Sequence, residues 1–108
     1  MNPGSLVILH LVQPTEKFWG LLIRLGAEGV TVRGINLGSF DDWARGLARA
    51  EPALDLVTMF VPLFRVERIF ADEQVGDVES YRQRFQRIVG TPVEAYLGGS
   101  DEGGGLVS

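Results

Sequence analysis

The stretch from Val57 to Asp72, VTMFVPLFRVERIFAD, constrains the chain more than any other. Val57, Met59 and Val61 alternate with Thr58 and Phe60, the two-residue period of a strand. Pro62 interrupts it, because proline donates nothing to a ladder and marks an end, a bend or an edge. Strand character resumes at once in Arg65–Phe70. No Gly, Asn or Asp lies between the two runs to supply a two-residue hairpin turn. A sharp corner follows, with one strand leaving a sheet and the next crossing it steeply. Corners of this kind close small β-barrels.

Upstream, Leu6–Val12 (LVILHLV) is a β-rich run that is apolar on both faces, and Gln13-Pro14-Thr15-Glu16 is a turn. Phe18–Leu25 (FWGLLIRL) puts Trp19, Leu21, Ile23 and Leu25 on one face, with Gly20 as a place to curl. Gly26–Gly29 is a hairpin connection, and Val30–Leu37 pairs back with a second candidate bend at Gly34. Ser39 as N-cap and Asp41 and Asp42 in the first turn predict a helix ended by Pro52. Its apolar stripe is Phe40, Trp43, Ala44, Leu47 and Ala48. A second helix is predicted over Asp77–Val89, closed by Gly90, and a short third one from Thr91-Pro92-Val93-Glu94. The fold class is therefore mainly β with α additions: a small five-stranded barrel, a helix inserted between strands 3 and 4, and a C-terminal helix pair. Residues 1–97 form one domain, as suits 108 residues, and 98–108 (GGSDEGGGLVS) a flexible tail.

The order of elements over Leu6–Asp72 resembles the Sm-like and Src-homology-type small barrels. Phe18-Trp19-Gly20-Leu21-Leu22 is similar to the glycine-bent second strand of Sm-like proteins, and Val61–Ile69 to the short turn joining their last two strands. The resemblance implies a barrel and ring-type assembly through strand edges. Sm-like RNA sites carry an Asp and Asn pair after the second strand, where this chain has Gly26-Ala27-Glu28-Gly29. The Arg-Gly of their later loop is also missing, and the strand pair Arg33-Gly34 lies elsewhere.

Charge and composition narrow the function classes. The chain has no cysteine and a formal charge of -4, with a pI near 4.9. A thiolate metal site is excluded, and an acidic balance disfavours nucleic acid. His10 stands alone, so no histidine cluster forms within one chain; it reads as a strand residue at a barrel end or interface. Asp41 and Asp42 are adjacent on a helix and do not face one another, so they read as capping and dipole residues rather than an acid–base pair. Trp19 and Trp43 sit on apolar stripes and read as packing rather than base-stacking residues. No nucleophile elbow, phosphate loop or metal-ligand cluster is present. Leu6–Val12 is too short to span a bilayer and lacks a basic segment before it, so a cytoplasmic protein with no membrane contact is expected.

The feature that stands out is an apolar surplus, since a barrel interior covers one face of each strand. The outer face must be covered by the Phe40–Leu47 stripe, by the Tyr81–Val89 stripe or by another subunit; a homo-oligomer is the expected alternative to an exposed patch, with Leu6, Ile8, Trp19, Phe60 and Phe64 as interface residues. The leading expectation is a self-associating interaction or scaffold module, not an enzyme, with no cofactor and no metal. The alternative is an Sm-like nucleic-acid binder using Arg65, Arg68, Arg84 and Arg87; the bland reading of these arginines is a solvated face paired with Glu67, Asp77 and Glu79. A third expectation is a ligand or catalytic site formed between protomers, where His10 would be repeated by symmetry.

Overall fold

The computed structural model describes residues 1–52 and 54–98. The predicted tail lies outside the described residues from Gly99 onward. The strands are β1 (Leu6–Leu11), β2 (Glu16–Leu25), β3 (Gly29–Asn36), β4 (Val57–Pro62) and β5 (Val66–Ala71). The helices are α1 (Phe40–Ala48), α2 (Tyr81–Val89) and α3 (Glu94–Leu97). The strands form one antiparallel sheet in the order β4-β3-β2-β1-β5.

The sheet curls, and the corner requires it. From Pro62 to Val66 the chain reaches at most about 14 Å. Five flat strands would set the outer two about 19 Å apart. The corner is a 3-10 turn at Leu63–Arg65. Burial agrees with a curl. Val7, Leu9, Leu22, Val30 and Val32 are fully inaccessible, yet their cluster draws only on the five strands, with Met59, Val66 and Ile69 at its margin. The sheet covers this inner face by bending over it.

The predicted closed barrel is not formed: β4 and β5 end the sheet and do not pair with each other. The hydrogen bonds at the corner explain the gap. Leu63 N–H donates to the Glu28 carbonyl, while the Arg65 carbonyl accepts from Val12 N–H. Each side of the corner is tied to its own neighbour, and Pro62 has no N–H to offer across. Arg65 also belongs to the turn rather than to the strand, so β5 starts one residue later than its sequence suggests.

The two strand glycines are cross-strand partners, Gly20 opposite Gly34. A Cβ at Gly34 would stand 1.9 Å from the Trp19 carbonyl oxygen, and one at Gly20 2.5 Å from that of Arg33. Here glycine is required by the close approach of two backbones, a tighter reason than the curl foreseen at each.

The outer face carries a second core. Trp19 and Ile35 point out of the sheet and are covered by Phe40, Trp43 and Ala44 of α1, Phe85 of α2, and Val93 and Leu97 around α3. The Trp19 ring lies 5.1 Å from Phe40 and 5.9 Å from Trp43, and Trp43 lies 5.1 Å from Phe85. Such aromatic pairs add about 0.5–1.5 kcal/mol each beyond their area. Helix bounds differ from the pattern. Ser39 precedes α1 but caps nothing; Asn36 Oδ1 instead accepts from Gly38 N–H in the 3-10 turn before it. α1 stops at Ala48, short of Pro52. α2 begins at Tyr81, because Ser80 and Gln83 form a reciprocal capping box and Val75 bridges Val78 in a turn upstream. Gly90 ends α2 with φ of 90°, the left-handed conformation expected after a helix.

Candidate interaction surface

Among the described residues, one end of the sheet remains bare. β4 reads VTMFVP, has β3 on one side and no strand on the other, and contains no charged residue. Phe60 is 55% exposed and Val57 52%. Past the corner Phe64 is 80% exposed and Leu63 44%. An unprotected edge strand next to apolar side chains is a template for strand addition. β5, the other free edge, carries Glu67 and Arg68.

The expected interface residues separate into three groups. Phe60 and Phe64 are on this bare surface. Leu6 and Ile8 are half-buried and pack against the helix-covered cluster. Trp19 is completely buried and unavailable to a partner, because the helices that the sequence left free to cover the outer face do cover it there.

The four arginines of the nucleic-acid alternative all have partners. The Arg65 guanidinium donates to the carbonyls of Val12 (2.9 Å) and Pro14 (2.8 Å) and lies 3.6 Å from Glu16. Arg68 reaches Glu67 at 3.7 Å and lies over the Phe70 ring. Arg84 donates through Nε and Nη2 to both oxygens of Asp41 (2.7 and 2.5 Å) and reaches Glu79 at 3.3 Å. Arg87 donates to Glu79 at 2.6 Å. The Arg84 hydrogen bond, ahead of its charge, holds the Asp41 carboxyl below the usual range, and Arg87 does the same for Glu79. Asp41 therefore ties α1 to α2, a role that no local pattern announces. Asp42 takes no part in it.

His10 is half-buried on the outer face between Lys17 and Arg68, its ring 4.8 Å from Phe70. Burial first, then the charges of Lys17 and Arg68, lower its pKa, so it is neutral at pH 7. Among the described residues no group of three or more His, Asp or Glu side chains could hold a metal ion. No helix there is long and apolar enough to cross a membrane.

Sequence reasoning missed Asp72. Its carboxylate accepts from the N–H groups of Tyr81 (2.8 Å) and Arg82 (2.9 Å) and from Trp19 Nε1 (3.0 Å). It satisfies two orphan donors of the α2 N-terminus and the one polar atom of a buried tryptophan. No local pattern announces it, since its partners lie 53 residues before and 9 and 10 after. No protein-family model, curated protein or solved structure matches this chain.

Proposed function

We propose that the protein is a non-enzymatic, self-associating interaction module of the cytoplasm. In this reading the curled sheet is an Sm-like small barrel left open between β4 and β5. A neighbouring copy fills the gap, the β4 edge of one copy running beside the β5 edge of the next. Leu63 and Phe64 pack into the same contact. The observation that carries the reading is the β4 edge. Natural proteins guard such edges with charges, bulges or a covering loop. Here six residues carry no charge, and only Pro62 at the end blunts them. None of the described helices covers this edge, so a second copy is the economical cover.

Light scattering of the full chain tests this directly. A mass of two or more chains is expected for the native sequence. The double variant Val57→Lys, Phe64→Ser should give a single chain with an unchanged circular dichroism spectrum. A monomeric native protein at its highest soluble concentration sinks the proposal. The nucleic-acid reading is weaker, since Arg65, Arg68, Arg84 and Arg87 already have partners. A steep fall of RNA affinity with salt would revive it.

A further inference from the structure

Charge is balanced unevenly over the described residues. Arg45, Arg65, Arg68, Arg82, Arg84 and Arg87 each have a carboxylate partner. Arg24 and Arg33, which belong to none of the sites expected from the sequence, have none among the described residues. They lie on neighbouring outer-face rows of β2 and β3. Arg24 stands opposite Thr31, which stands opposite Phe60. Two residues along, Arg33 stands opposite Thr58 and donates to its hydroxyl at 3.2 Å, while its buried Nε has no partner.

Arg24, Thr31 and Phe60 wall a cleft of about 380 Å³, floored by the hairpin backbone at Gly26 and Gly29, with Glu28 its one acid. That volume is in the range of small-ligand clefts, about 300–1,000 Å³. It combines an exposed aromatic face, an unpaired guanidinium fork and a hydroxyl. The fork matches a carboxylate or phosphate bidentately, and the ring accepts a flat partner. Lys17 and Arg49 also have no carboxylate partner among the described residues, but Lys17 shares its cleft with Glu16 and the half-buried Tyr81, and the cleft beside Arg49 holds two acids, Asp42 and Glu51, and no ring.

We propose that this cleft binds a small ligand in which a planar ring carries one anionic group, the ring stacked on Phe60 and the anion held by Arg24 with the Thr31 hydroxyl. Charge count selects a small anion over a nucleic-acid strand. Strand binding draws its strength from many neutralised phosphates, each adding about 0.7 to the salt slope for a single strand. At this cleft the described residues supply only Arg24, with Arg33 beside it, and Glu28 opposes them. The cleft opens on the face of β4, not its edge, so the proposal stands or falls separately from self-association.

Titration calorimetry on the full chain tests it with 2-naphthoate, adenosine monophosphate, inorganic phosphate and octauridylate. One ring-bearing anion should saturate a single site per chain, with phosphate alone at least about tenfold weaker. Tighter naphthoate identifies an aromatic acid as the natural ligand class, tighter adenosine monophosphate a nucleotide. Arg24→Gln and Phe60→Ala should each weaken binding at least about tenfold. Phe60→Leu, which keeps apolar contact but loses the flat face, should also weaken it, and Arg49→Gln should change nothing. The proposal is overturned if neither ring-bearing anion saturates, or if binding survives both Arg24→Gln and Phe60→Ala. Octauridylate binding more tightly than the mononucleotide, with a steep salt slope, overturns it in favour of a strand.

Discussion

Trp19 and Phe60 are both aromatic residues on the outer face of one curled sheet, and they meet opposite fates. Trp19 lies under three helices, its N–H bound to Asp72 and its ring among Phe40 and Trp43. Phe60, two strands away on β4, faces solvent. The strand patterns of the two are alike, and each alternates correctly. The difference comes from what is fastened above them. Asp72 fixes the α2 N-terminus over Trp19, and the Asp41–Arg84 pair fixes α1 to α2. Among the described residues no comparable anchor ties a helix to β4. An apolar face is buried where a polar tether holds its cover in place, and stays exposed where none does.

Substitutions can break this contrast, and the largest effect is expected at its buried pole. Trp19→Ala should cost about 3–5 kcal/mol of stability, read from the denaturant midpoint. Phe60→Ala should cost less than about 1 kcal/mol, as fits a half-exposed site. Equal costs would mean that the outer face is one continuous core. Gly34→Ala should be nearly as severe as losing Trp19's packing, about 3 kcal/mol, because its methyl group meets the Trp19 carbonyl. Asp72→Ala tests the tether itself. About 2 kcal/mol is expected from two lost cap bonds and an unpaired indole N–H, together with a loosened α2 in hydrogen exchange. An effect confined to α2 with Trp19 fluorescence unmoved would separate the cap from the tryptophan.

Acid offers a gentler probe of the second tether. The Asp41 carboxyl titrates below its ordinary value in the folded chain, so the unfolded chain binds the proton first as pH falls. The stabilisation is complete above about pH 4 and drains away as pH drops through the lowered native value. Solvent screening at this third-exposed pair limits it to about 1 kcal/mol. The melting temperature should fall below pH 4, and less so in Arg84→Gln. An equally acid-sensitive variant would show that the pair contributes nothing. At the exposed pole, Val57→Lys with Phe64→Ser should leave stability within about 0.5 kcal/mol while abolishing assembly. A large loss of stability would instead place those side chains in a core.

The sequence by itself determined the five strands, the helix inserted after the third, and the corner at Pro62. These rest on two-residue alternation, on a helical apolar stripe with acids in its first turn and on a ring that cannot donate, all of which are properties of neighbours along the chain. It also marked Gly20 and Gly34 as special, and Phe60 and Phe64 as surplus to one interior. Tertiary structure alone decided that the two glycines face each other, that the sheet curls without closing, and which apolar residues the helices cover. It alone joined Asp72 to Trp19 and Asp41 to Arg84, and left Arg24 unpaired beside Phe60. Those outcomes depend on which residues distant in sequence arrive at the same place, and a carboxylate carries no local mark of the donor it will meet across 53 residues.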